Sequence, residues 1–241
     1  MVDEIRAAGG QVYAITSEPQ HLADQAQEHW ELTFDSVGDP HQEIAKHCAD
    51  NGWLTLYANK GDLEFLKRGA DWTVEHPKGY FQPGVLALTQ AGRVLYRWRS
   101  IPSADNLNGT LARPTARHAW GAIQTSLAAG DEAGDAAHDD KPQVDSVPPP
   151  RPMFIAALIA NGWFMGVKSF AYSPGVRSVP KRFAMAYARW LLFFAVWIAA
   201  FIFLPTLPVA IALAAWVVWI ARDTRRTMGS MQVQKEITGS T

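Results

Sequence analysis

Apolar and polar positions divide this chain near residue 150. Over residues 1–127, short apolar runs alternate with amphipathic stretches, whereas Phe183 to Ala221 is an almost unbroken apolar block. Trp190 to Leu204 and Leu207 to Ala221 carry no charge, and Pro205-Thr206-Leu207-Pro208 interrupts them. Basic residues close the outer ends: Lys181, Arg182 and Arg189 before, Arg222, Arg225 and Arg226 after. A membrane span takes about 20 apolar residues at roughly 1.5 Å each. The first helix reaches that length by starting near Phe183 and letting Arg189 snorkel. The second is short and calls for bilayer thinning or a partner helix. The pattern predicts a transmembrane helical hairpin with both basic ends in the cytoplasm. A re-entrant hairpin and a hairpin buried in a soluble core are the alternatives. Met153 to Phe170, broken at Asn161-Gly162, reads as an interfacial helix on the headgroups or a small helix packed on the hairpin.

In the first half, Val2 to Ala8 is the tail of a helix stopped by Gly9-Gly10, and Val12 to Thr16 is a short strand. Ser17-Glu18-Pro19-Gln20 has the form of a capping box, opening a helix with Leu22, Ala23, Ala26 and Trp30 on one stripe. Leu32 to Phe34 predicts another strand. Asp39-Pro40-His41-Gln42 is a second capping signal, for a helix to about Asp50 with Ile44 and Cys48 on its inner face. Trp53 to Phe81 shows no clean period. Gly84 to Thr89 and Arg93 to Arg99 are a strand pair turning at Gln90-Ala91-Gly92, with Val94, Tyr96 and Trp98 on one face and Arg97 and Arg99 on the other. Pro114 opens a last helix with Ala119, Trp120 and Ile123 on its stripe. This order predicts an α/β fold with a mixed sheet.

Residues 128–151 are acidic and end in Pro148 to Pro150, the composition of a self-repelling linker. The predicted organisation is a soluble domain over 1–127, this linker over 128–151, an interfacial segment over 152–182, the hairpin over 183–222 and a polar tail over 223–241. A formal charge of −1 supplies no field for nucleic acid. The first residues lack a basic-then-apolar signal pattern, so the soluble part is expected in the cytoplasm. The single cysteine, Cys48, excludes an internal disulfide, a CxxC pair and a cysteine-based zinc cluster.

Three runs carry a resemblance: Glu4 to Pro19, Leu32 to Pro40, and Gly84 to Leu88 with Gly92 to Tyr96 and Arg99-Ser100. Together, over roughly residues 2–127, they resemble the peroxiredoxin-like branch of the alkyl hydroperoxide reductase/thiol-specific antioxidant (AhpC/TSA) family. The resemblance implies a thioredoxin-like mixed sheet and thiol redox chemistry, with a thiol reductant or protein partner. It also implies a catalytic cysteine at the start of a first helix, activated by that helix N-terminus and a nearby Arg. Met1 falls inside the equivalent of that helix, so the strand before it and the cysteine turn are absent, and the sheet is N-terminally incomplete. Either a longer product carries them, or the chain is a non-catalytic member whose gap is filled by its own segments or a partner.

No catalytic residue is therefore assigned. Cys48 falls on a later helix and reads as a core cysteine rather than a redox centre. Site-lining candidates follow from the rule that function gathers at the carboxyl ends of strands: Thr16, Ser17 and Glu18 after the first strand, with Pro83 where thioredoxin-like folds place a cis-proline. Arg97 and Arg99 are candidate cations. Glu43 and His47 share a helix face without a second ligand-like His, and no phosphate loop or nucleophile elbow is present. No metal, cofactor or nucleic acid is expected. The overall expectation is a membrane-tethered peroxiredoxin-like protein without peroxidase activity, or a non-enzymatic thioredoxin-like adaptor at the membrane.

Overall fold

The computed structural model describes residues 1–61, 73–103, 113–130, 132–144, 150–168, 170, 179–230 and 234–239. They form two compact units, one of Met1–Lys60, Val74–Pro148 and Val233–Thr241, the other of Gly61–Thr73 and Pro149–Gln232.

The first unit opens with α1 (Val2–Ala7), stopped by Gly9 at φ +81. β1 (Tyr13–Thr16), α2 (Gln20–His29) and β2 (Asp35–Gly38) follow, with β1 and β2 paired in parallel. The second strand thus begins at Asp35, not Leu32. Glu31 takes a positive φ and Leu32 N–H returns to Gln27 O, so residues 31–34 close the helix instead. The capping box does not form either. Pro19 is the N-cap, and the Gln20 side chain bridges to β2, donating to Ser36 O at 2.9 Å and accepting from Gly38 N at 2.8 Å. α3 (Glu43–Asp50) does take its cap from Asp39, whose two oxygens accept Glu43 N at 2.6 Å and Ala45 N at 3.0 Å.

β3 (Tyr57–Asn59) and β4 (Tyr80–Phe81) arise from the stretch without a clear period and pair antiparallel. β5 (Gly84–Leu88) and β6 (Val94–Arg99) form the predicted hairpin, turning at Gly92 with φ +86. Val94, Tyr96 and Trp98 are buried; Tyr96 and Trp98 pack with Ala119 of α4 (Ala116–Ala128). Thr115 caps α4 by accepting His118 N–H at 3.1 Å.

The acidic stretch departs from the predicted free linker. Ala136 and Asp139 N–H bond to Val94 O and Arg97 O, and Thr115 N–H bonds to Gln143 O. Asp135 accepts Val94 N–H at 2.8 Å, while Asp139 Oδ2 accepts from Tyr96 Oη at 2.9 Å and lies 2.7 Å from His118 Nε2. These acids satisfy specific donors rather than repelling one another, and they strap the chain along the outer edge of β6.

The second unit contains α5 (Arg151–Asn161), α6 (Val179–Phe203) and α7 (Thr206–Ser230). α5 is the packed helix of the two alternatives: Ala157 to Ala160 are buried among Val167, Ala186, Ile220 and Met228. Trp190 Nε1 donates to Ala156 O at 2.6 Å, and Phe164 stacks on Phe193 at 4.2 Å. Arg189 does not snorkel outward. It donates to Ala160 O at 3.1 Å, a carbonyl at the open end of α5, and lies 3.9 Å over the Trp163 ring. Lys181 and Arg182 fall in the first turns of α6, and Arg222, Arg225 and Arg226 in the last turns of α7.

The outer surface of α6 and α7 is apolar: Leu191, Ile198, Phe203, Leu207, Ile211 and Val218 are all exposed. Only 6% and 11% of their most apolar windows are buried within the protein. A soluble-core hairpin would bury most of that surface, so both helices are of a length and character to cross a membrane.

The chain then returns. β7 (Gln234–Glu236) pairs antiparallel with β3, and Ile237 is buried against Ala45 and Ala58. The predicted polar tail is therefore the end of a helix followed by a strand of the first unit. Sheet pairing in that unit is divided among β1-β2, β4-β3-β7 and β5-β6, in place of the one mixed sheet predicted.

Candidate functional site

A cavity of ≈ 440 Å³ lies in the first unit. β1 and its end supply Tyr13, Ile15, Thr16 and Ser17; α3 supplies Ile44, Ala45 and Cys48; Leu54, Leu56 and the run Tyr80 to Leu86 complete the wall, with Arg113 at one side. Of the predicted site residues, Thr16, Ser17, Pro83 and Cys48 share this cavity. Glu18 lies beside it through His76. No cis peptide occurs among the described residues, so Pro83 follows a trans bond; its carbonyl accepts Ser100 N–H at 2.8 Å.

Ser17 is buried, with its Oγ 2.9 Å from His76 Nδ1 and accepting Phe81 N–H at 3.1 Å. His76 Nε2 is 3.9 Å from Glu18 Oε1, and the Tyr80 ring meets the imidazole edge-on at 4.8 Å. Burial pushes the Glu18 carboxyl above its ordinary value, against hydrogen bonds from the Glu75 backbone and the Thr16 side chain. The order serine, histidine, carboxylate invites comparison with a nucleophilic relay. Its geometry argues for a staple. The Ser17 oxygen already holds the Phe81 amide, and the carboxylate stands beyond hydrogen-bond distance of the ring. The three side chains tie the end of β1 to β4. Sequence reasoning missed His76 because no motif or period marks the loop that carries it.

Cys48 is half-buried in the cavity wall. Burial, and then the Asp39 carboxylate, push its thiol above the ordinary value. That is the opposite of the shift a reactive thiolate needs. The candidate cations are engaged elsewhere. Arg97 donates to Gly52 O at 2.9 Å, and Arg99 bonds Thr55 and pairs with Glu236 at 2.5 Å. Arg113 is the cation that lines the cavity. Among the described residues, no three His, Cys, Asp or Glu side chains converge as a metal site.

The cavity is apolar over most of its wall. No family model, no curated protein and no solved structure matches this chain.

Proposed function

We propose that the protein is a membrane-tethered, peroxiredoxin-like module that works without peroxidase chemistry, its soluble unit facing the cytoplasm. The observation that carries the tether is the pairing of β7 with β3. Met1–Lys60, Val74–Pro148 and Val233–Thr241 belong to one unit, while the two membrane-length helices lie between the last two of these segments. Two crossings return the chain to the side it left; one crossing does not. The arginines at the end of α7 and the basic start of α6 favour the cytoplasmic side for both ends.

Support for the thioredoxin-like reading is the order of elements. Strand, helix, strand and helix come first, and after β3 and β4 an antiparallel hairpin and a helix follow. Support for the absence of peroxidase chemistry is the raised thiol of Cys48, the chain's single cysteine.

The tether is tested in a Cys48→Ser background by labelling single cysteines introduced as Lys141→Cys, Thr238→Cys and Leu204→Cys in oriented membranes. Expected is labelling of positions 141 and 238 from one side and of 204 from the other. Labelling of 141 and 238 from opposite sides sinks the hairpin reading. For the chemistry, the parent and its Cys48→Ser variant are expected to consume hydrogen peroxide equally slowly in the presence of a dithiol. A parent rate well above the variant's refutes it.

A second reading, a non-enzymatic adaptor at the membrane, is favoured by the apolar cavity wall of Ile15, Ile44, Leu54, Leu56 and Val85.

A further inference from the structure

Residues Trp163–Lys168, which follow α5, are held in a strained shape. Trp163 and Phe164 take consecutive positive φ values, +53 and +62, a region that side chains with a Cβ rarely enter. Neighbouring side chains part there. Phe164 goes inward, 5.0 Å from the Trp190 ring and 4.2 Å from Phe193, while Trp163 and Met165 stay out at 64% and 75% exposure. α7 fixes the loop. Trp216 Nε1 donates to Phe164 O at 2.8 Å, Trp219 Nε1 donates to Met165 O at 3.0 Å, and Val167 N–H donates to Asp223 Oδ2 at 2.7 Å. Trp219, itself 62% exposed, thus meets the loop in one apolar rim that continues through Val218 into the exposed surface of α7. Cations lie just beyond that rim. Arg222 is three residues past Trp219 and Arg225 three past Arg222, so each neighbours the last on the helix surface. Lys168 follows the amide that Asp223 holds. The Phe170 ring stacks on Phe183 at 4.6 Å, which brings the first turns of α6, and Lys181 with them, to the same segment. All four cations are exposed. Asp223 is the one acid in the sequences of α6 and α7, and it accepts the Val167 amide.

We propose that this rim is a binding surface for anionic phospholipid. Acyl chains lie against Trp163, Met165 and Trp219, and the acidic headgroup lies among Lys168, Lys181, Arg222 and Arg225. The inference rests on the tether and names the lipid class that the tether takes. Apolar rim and basic cluster choose the occupant together. A zwitterionic lipid matches the rim but carries its own cation towards four others. A soluble acidic protein matches the cations and leaves the rim uncovered. An anionic phospholipid matches both, since indole rings suit the boundary between chains and headgroups and basic residues beside it attract negative lipid. Two indoles and a carboxylate hold the loop in place, so the surface is formed before lipid arrives and little ordering is lost on binding.

The full chain is reconstituted into mixed vesicles of phosphatidylcholine and phosphatidylglycerol, with bromine on the acyl chains of one lipid or the other. Quenching of tryptophan fluorescence across the mixing range gives the relative association of the two headgroups at the indoles that touch chains. Expected is a preference for phosphatidylglycerol of roughly fivefold or more, about what one basic residue contributes at an anionic surface. The double variant Arg222→Gln/Arg225→Gln should lose most of it, and Arg222→Lys/Arg225→Lys, which keeps the charges, should retain it. Raising salt from about 0.1 to about 1 M shortens the screening length from about 10 to about 3 Å and should weaken the preference. Equal quenching by both lipids in the parent overturns the proposal and leaves the tether standing, as does a preference that survives the glutamine variant. Should that variant fail to incorporate, salt decides: a parent preference unchanged at high salt overturns the proposal. Loss of the preference in inorganic phosphate, but not in sodium chloride of equal ionic strength, would make the ligand a free anion and also overturns it. Absence of quenching by either lipid sinks the tether and this inference together.

Discussion

Replacing Ile237 with alanine tests whether the chain's last strand belongs to the soluble unit. Ile237 is only 5% exposed and packs on Ala45, Ala58, Leu56 and Phe81, and its N–H donates to Leu56 O at 2.8 Å. The substitution removes three carbons from that contact. At about 0.8 kcal/mol for each, the transfer loss is roughly 2.4 kcal/mol. A partly collapsed cavity adds to it, giving about 3 kcal/mol, within the range of about 2–5 for such truncations. For a unit of this size that is a fall of roughly 10 °C in melting temperature. The measurement is temperature-ramped proteolysis of the full chain, read from peptides of residues 84–99, which report the first unit alone. Thr238→Ala, at an exposed position one residue on, is the control and should melt with the parent. A dangling polar tail predicts no difference between the two variants. Equal melting of Ile237→Ala and Thr238→Ala would therefore refute the placement of β7, and with it the argument for two crossings.

Two further outcomes follow from the strap and from β2. Burial disfavours the Asp139 carboxylate, but hydrogen bonds from His118, Tyr96 and the Lys141 amide outweigh it and hold its pKa below the ordinary value. A depressed carboxyl contributes stability above its unfolded pKa and loses it as pH falls through the folded one. His138 acts in the same direction: burial, then Arg97 and Arg99, lower its pKa against the pull of Asp140, so acid again favours release. The amides of Ala136 and Asp139 should exchange faster, corrected for intrinsic rates, as pH falls from 7 to 2, first as His138 takes a proton and last, below the ordinary carboxylate range, as Asp139 does; Asp139→Asn should exchange fast throughout, and protection unchanged down to pH 2 would count against the strap. Gly38→Ala would place a Cβ 2.6 Å from both Gln20 N and Glu18 O, backbone atoms that cannot turn aside. It should cost about 1–3 kcal/mol by the overpacking rule, seen as earlier proteolysis of the first unit, and an unchanged melt would disprove the close approach of β2 to α2.

Local chemistry was readable in the sequence and distant pairing was not. The hairpin at Gly92 announces itself because its turn and both strands lie within sixteen residues, Gly84 to Arg99. The membrane-length helices are equally plain, since length and apolarity are local properties. Asp39 was read as a cap and is one, though α3 begins at Glu43 and leaves Gln42 at φ +64. Ser17 fitted a cap by pattern, but a histidine 59 residues away took its hydroxyl. β7 has no apolar signal in Gln234-Lys235-Glu236; its place is set by Arg99, Thr55 and the β3 edge. Asp135 and Asp139 looked like solvated charges because composition does not reveal that Val94, Tyr96 and His118 wait with donors. Thr16 and Ser17 were found because the carboxyl end of a strand is a geometric position that order alone predicts, whereas Pro83 came from the resemblance and lines the cavity without the cis bond that the resemblance implies.

The return of β7 also constrains how the protein is made. Thr55 and Glu236 are separated by 181 positions and share a hydrogen bond of 2.8 Å, so the first unit is incomplete until Glu236 has been synthesised. Until then β3 has an open edge, and Ala45 and Ala58 lack Ile237. Contacts of such separation form late, because the loop between the partners must be closed before they contribute anything. Here that loop contains both membrane-length helices. Placing α6 and α7 in the bilayer brings the end of α7 back to the side on which the chain left, shortening the search that β7 must make. On the proposed hairpin reading, membrane insertion is a step towards the fold of the first unit as well as a means of tethering it. A chain whose second helix fails to insert would leave Glu236 on the far side from Arg99, with an open β3 edge exposed to whatever strand is nearby.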